Sequence, residues 1–263
     1  MDLNTVTSYR RAASRADLAL APGEALLAGG TWLFSEPMPD VTGLVDLQTM
    51  GWPDIEETDG RLRIAATCTI ARLVAYGEEH GIPLFGEAAN ALLASFKIWQ
   101  TATVGGNIVR AYAAAAMTSM AVALDADAIV YTPDGGERRL PVAEIPTGDG
   151  TNSLGPGDVL RAIDIPARAL RSRAVLRKEA LADHGRSGAV VTGRVDADGS
   201  ATFAITAATL TPQVRRFDAL PDPGSLAHAV GSADGWYTDP LGSADWRRAI
   251  SLVLAERIRE VLR

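Results

Sequence analysis

The residues whose types and spacing could do chemistry lie in two glycine turns. Leu27-Ala28-Gly29-Gly30-Thr31 and Ala102-Thr103-Val104-Gly105-Gly106-Asn107 each place a Gly-Gly pair beside short polar side chains. Adjacent glycines permit positive φ and leave the backbone amides without a Cβ in the way. Thr103 and Asn107 carry groups that hydrogen-bond an anion or fix the turn. Two such turns suggest two backbone cradles for one phosphate-bearing ligand. A lone Gly-Gly is also what an ordinary turn looks like, so the meaning of this pair depends on the rest of the chain.

Other chemistry is scarce. The single cysteine, Cys68, leaves no intramolecular disulfide and no cysteine-ligated iron–sulfur cluster within the chain. His80, His184 and His228 are scattered without metal-ligand spacing. Ser187-Gly188 beside Asp183 and His184 lacks the strand–Ser–helix elbow of a hydrolase. A net charge of −7, from 25 Lys and Arg against 32 Asp and Glu, comes with no basic stripe and argues against a nucleic-acid partner. No apolar run of about 18 residues reads as a membrane span, and the start Met1-Asp2-Leu3-Asn4 is unlike a signal peptide, so a cytoplasmic protein is expected.

The elements that must position the turns follow from periodicity. The chain of 263 residues suffices for one large domain or two to three small ones. Ser14 predicts an N-cap for a short helix over 14–20, Ala25–Ala28 a strand into the first turn, and Gly43–Leu47 a second strand. Asp59-Gly60 predicts a hairpin. Thr69 caps a helix through Tyr76, and a further helix spans about Pro83–Ser95. The Ala-rich run after Asn107 predicts a buried helix over 114–124. Strands are expected over 128–131, 137–141 and 159–166, then over 188–195 and 201–210. Trp246, Ile250, Val253, Leu254, Ile258 and Val261 predict an amphipathic closing helix. The class is α+β in three parts: 1–52, 53–167 and 168–263.

The ordered set of Ala28-Gly29-Gly30-Thr31, Thr67-Cys68-Thr69-Ile70, Thr103-Val104-Gly105-Gly106-Asn107, Leu124-Asp125-Ala126 and Ile163-Asp164-Ile165-Pro166 is specific. It resembles the FAD-binding medium subunit of molybdenum hydroxylases, the carbon monoxide dehydrogenase and xanthine dehydrogenase group. The resemblance runs over nearly the whole chain, with Leu176-Arg177-Lys178 and Pro212-Gln213-Val214-Arg215 similar to the family's flavoprotein C-terminal domain. It implies a PCMH-type FAD-binding fold of two α/β subdomains followed by a small antiparallel-sheet-plus-helix domain.

The resemblance further implies FAD as cofactor, with Leu26, Leu27, Ala28, Gly29, Gly30, Thr31, Trp32 and Leu33 as the first pyrophosphate loop. Thr103, Val104, Gly105, Gly106 and Asn107 would form the second. Leu93 would pack near the cofactor, while Leu160 and Lys178 would lie by the flavin ring. The implied role is that of an oxidoreductase subunit in a heterotrimer. Electrons would come from 2Fe–2S clusters on a small partner, fed by a molybdopterin large subunit, and leave through FAD to NAD or another acceptor.

The chain departs from the family's pattern at several positions. Tyr112 stands for the usual Ser, Ala113 for Pro and Ala116 for an Asp that contacts FAD; Trp99-Gln100 replaces Arg-Asn, and Trp32 replaces a small polar residue. An alanine accepts no hydrogen bond from a ribose hydroxyl, a loss of roughly 0.5–1.5 kcal/mol. Trp32 stacks on an aromatic group or fills a core gap. The alternative these positions favour is a flavin-free structural or assembly relative that keeps the fold and the partner interface. A self-contained flavin oxidase would need a larger substrate domain than 168–263 supplies.

Overall fold

The fold is taken from a computed structural model that describes residues 3–92 and 95–263. The first sheet has three parallel strands, β1 (Ser8–Arg11), β2 (Glu24–Leu27) and β3 (Gly43–Asp46), in the order β1-β3-β2. β2 is therefore an edge strand, and it runs directly into the first glycine turn. The predicted helix over 14–20 is a single 3-10 turn, Arg15–Leu18, closed by a Ser14/Asp17 capping box.

The central sheet has the order β4-β5-β10-β6-β7. The hairpin of β4 (Ile55–Thr58) and β5 (Arg61–Ala65) turns at Asp59-Gly60, both with positive φ. Helices α1 (Ile70–His80), α2 (Pro83–Ala91), α3 (Phe96–Trp99), α4 (Val104–Arg110) and α5 (Ala116–Ala123) follow. Next come β6 (Asp127–Tyr131), β7 (Glu137–Pro141), the short pair β8 (Pro146–Gly148) and β9 (Thr151–Asn152), and β10 (Val159–Pro166). Thr69 caps α1 by accepting from the Arg72 amide at 3.2 Å. α2 is shorter than the predicted helix to Ser95. Every residue of α5 is buried, as its alanine content requires of a helix held inside a core.

At the centre of the middle sheet Asp164 is fully buried. It accepts from Arg63 Nε and Nη2 at 2.8 and 2.9 Å and from Arg139 Nη1 at 2.8 Å. Burial opposes ionisation of this carboxyl, yet the two guanidiniums hold it below the ordinary carboxylate value.

A short helix, α6 (Ala167–Leu170), leads to an antiparallel sheet of β11 (Arg173–Ala180), β12 (Ser187–Val195), β13 (Ala201–Thr206) and β14 (Gln213–Phe217). This sheet is buried on both faces. Val190 and Ala204 join the core of the middle sheet and its helices, while Val191, Phe203 and Ile205 face a second core under α7 (Pro223–Gly231) and α8 (Ala244–Leu262).

The buried stripe of α8 differs from the predicted one. It runs through Arg247, Ser251, Leu254, Ala255, Ile258 and Leu262, while Val253 and Val261 are exposed. Arg247 turns the helix: fully buried, it pairs with Asp239, donates to the Gly188 and Ala207 carbonyls and lies 4.0 Å over the Tyr237 ring. No apolar pattern signals a buried arginine.

Candidate functional site

The two glycine turns meet. β2 delivers Ala28 to the end of the first sheet, while the segment before α4 pairs with the segment before α1. There Ile70 donates to the Ala102 carbonyl and Val104 to the Cys68 carbonyl, each at 2.9 Å. Between the turns lies a cavity of about 660 Å³, within the range of pockets that hold a small molecule or cofactor.

All eight residues Leu26–Leu33 line the cavity, as do Thr103, Gly105, Gly106, Asn107 and Leu160. Val104 does not: its side chain is fully buried in the core. Lys178 on β11 is also absent from the wall, and its Nζ is buried without a hydrogen-bond partner among the described residues. Leu93 lies outside the described residues. The sequence reading missed Arg110, Tyr112, Asp158 and Arg186, which complete the polar wall. Only Tyr112 had a signal, as a departure within an otherwise matching stretch.

The turns differ in what they offer. In the second, the amides of residues 104–107 are already used, and that of Thr103 donates to no described residue. Val104 donates to Cys68, Gly105 to the Ala66 carbonyl at 2.9 Å, Gly106 to Thr103 Oγ1 at 3.1 Å and Asn107 to the Thr103 carbonyl at 3.1 Å. These are the first donors of a helix, satisfied by neighbouring backbone and by the Thr103 cap. Of the amides in this turn, only that of Thr103 is left without an acceptor among the described residues. What this turn offers is the Asn107 side chain, whose Oδ1 accepts from the Met117 amide at 2.9 Å while its Nδ2 donates to no described residue.

In the first turn the amides of residues 28–33 donate to no described residue. The edge position of β2 leaves them without a ladder partner, and they line the cavity wall. Six consecutive amides without an acceptor among the described residues, in a loop that lines the cavity, are donors available to an anion.

The rest of the wall fits a dinucleotide with a flat ring. Leu26, Leu33, Ile98, Val109 and Leu160 are apolar. The cavity's carboxylate, Asp158, is held by Arg138 at 2.8 Å and by the Gly155 amide at 2.9 Å. The thiol of Cys68 behind the second turn is pushed up to about 12 by burial, so it supplies no nucleophile.

Residues 6–168 match the profile of the family "FAD binding domain in molybdopterin dehydrogenase". The chain belongs to this family. It is 30% identical over 174 residues to the xanthine dehydrogenase FAD-binding subunit of Escherichia coli O157:H7, covering 60% of this chain and 57% of that one. It is 30% identical over 125 residues to the 6-hydroxypseudooxynicotine dehydrogenase complex subunit alpha of Paenarthrobacter nicotinovorans, covering 47% and 42%. The chain thus spans about half the length of these relatives.

Two solved structures share the PCMH-type fold over nearly the full chain. Quinoline 2-oxidoreductase from Pseudomonas putida 86 superposes with a TM-score of 0.83 at 20% identity, covering 100% of this chain and 98% of that one. Carbon monoxide dehydrogenase from Oligotropha carboxidovorans gives 0.84 at 21%, covering 99% and 98%. Among the described residues no helix is long and apolar enough to cross a membrane, and no cluster of potential metal ligands occurs.

Proposed function

We propose that this protein is the FAD-carrying electron-transfer subunit of a molybdenum hydroxylase, built from units 1–52, 53–167 and 168–263. The observation that carries the reading is the row of unpaired amides over 28–33 on the wall of the cavity. Those amides bind the pyrophosphate, Asn107 Nδ2 and Thr103 flank it, and the apolar wall with Leu160 receives the flavin ring. When bound, FAD supplies redox chemistry, here the passage of electrons from 2Fe–2S clusters on a small partner to an external acceptor. The chain's own residues bind and orient it and exclude water from one side.

The molybdopterin large subunit would set the hydroxylated substrate. A fully buried Ala116 in place of an Asp favours a second reading, a flavin-free relative that keeps the fold. Titration of flavin-stripped protein with FAD decides between them. Saturable quenching of flavin fluorescence at one equivalent per chain is expected; a protein that stays colourless after incubation and gel filtration overturns the proposal.

A further inference from the structure

One group on the cavity wall has no place in the reading above. α4 ends at Arg110, and Ala111 follows in the left-handed region with φ 52°. That turn folds Tyr112 back, so its hydroxyl accepts from Arg110 Nη2 at 2.8 Å and its ring meets Trp32 edge-on at 5.1 Å. The guanidinium carbon of Arg110 lies 4.3 Å from the Trp32 ring centre and 4.8 Å from that of Tyr112. Trp32 belongs to the loop whose amides are unpaired.

Arg110 is thus oriented by two rings and one hydroxyl, yet no carboxylate pairs with it among the described residues. Its Nε is buried without an acceptor, and its Nη1 makes no bond to a described residue. Across Tyr112, Arg186 places a second guanidinium 5.3 Å from the ring, with Asp149 as its partner at 3.8 Å. A cation fixed in place and left unpaired beside unpaired amides, in a chain of net charge −7, marks the position of an anion.

We propose that Arg110, held by Trp32 and Tyr112, binds the dinucleotide's phosphates and so offsets the affinity lost with the acceptor that Ala116 lacks. This rests on the reading that the cavity takes FAD. Arginine suits the task because its planar fork stacks on rings while its outer N–H groups reach phosphate oxygens. The rings fix the fork beforehand, which lowers the ordering cost of binding.

The test is FAD titration of the flavin-stripped full chain, at several salt concentrations, with inorganic pyrophosphate as competitor. Arg110→Met should raise the Kd for FAD by about tenfold to a hundredfold, the range of a hydrogen bond to a charged group. It should weaken competition by pyrophosphate in parallel and flatten the dependence of log Kd on salt. Arg110→Lys keeps the charge and should recover a large part of the loss. Tyr112→Phe keeps the ring, deletes only the hydroxyl, and should cost a few-fold; it carries the test if Arg110→Met does not fold. An unchanged Kd in folded Arg110→Met overturns the proposal. So does a loss that leaves pyrophosphate competition and salt dependence as in the wild type, since that is packing alone. Wild-type protein that binds no FAD overturns the parent reading instead, and this one with it.

Discussion

A methyl group on Gly29 would stand 1.8 Å from the Thr101 carbonyl oxygen, and one on Gly105 would stand 2.4 to 2.7 Å from Ala66. At these two positions the missing side chain lets one backbone lie against another, rather than letting a ligand approach. Gly106 differs, because its nearest neighbour is the Thr103 hydroxyl at 2.9 Å, the end of a side chain that can turn. Gly29→Ala and Gly105→Ala should each lose about 1–3 kcal/mol by overpacking, while Gly106→Ala should stay within about 1 kcal/mol because alanine favours a helix. Chemical denaturation of the three variants checks this. The sequence names the glycines but not what lies against them. Trp32 shows the same limit: the aromatic group it meets is Tyr112, edge-on, with Arg110 over its ring, and both lie far from it in sequence.

The two turns read alike along the chain, and their difference arises from the elements that deliver them. The second opens a helix and gives its donors to the backbone before α1 and to its own cap, Thr103. The first leaves an edge strand that has no neighbour on that side. Amide hydrogen exchange should separate them: residues 28–33 exchange fast in flavin-free protein and slow on adding FAD, while 104–107 are protected throughout. Fast exchange at both turns would contradict the hydrogen bonds described. Elements with a local signal, such as the Asp59-Gly60 hairpin and the Thr69 cap, are legible in the sequence. β1 is not, since Ser8-Tyr9-Arg10-Arg11 is polar and its partner β3 is parallel and distant. Nor is the break between α4 and α5, because Ala111 is an unusual residue for positive φ.

At the scale of the whole molecule the C-terminal sheet is tied to the core through Asp125. Its carboxylate accepts from Arg194 on β12, from Arg168 Nη2 at 2.9 Å and from Arg216 Nη2 at 2.8 Å. Burial opposes its ionisation, but these hydrogen bonds and the Arg194 charge prevail and hold it down to about 2, from 3.8. A depressed carboxyl stabilises the fold above its unfolded value and loses that contribution as pH falls through its folded value, here between about pH 4 and pH 2. The shift is worth roughly 2 kcal/mol. Asp125→Ala leaves the buried Arg194 short of a partner and should cost about 3 kcal/mol at neutral pH. Acid titration of wild type and variant, followed by circular dichroism, should show the gap between them narrowing over that window. The ordered motif Leu124-Asp125-Ala126 was visible in the sequence; its three arginine partners, spread over residues 168–216, were not.

The unpaired amides of the first turn have a thermodynamic consequence for the molecule as a whole. Folding gives them no acceptor among the described residues, so that place is left for a ligand to complete. A ligand that fills it binds the folded state and not the unfolded one, and adds about 2.7 kcal/mol when present at about a hundred times its dissociation constant. The stability of this chain is therefore a function of cofactor supply rather than a fixed property of its sequence.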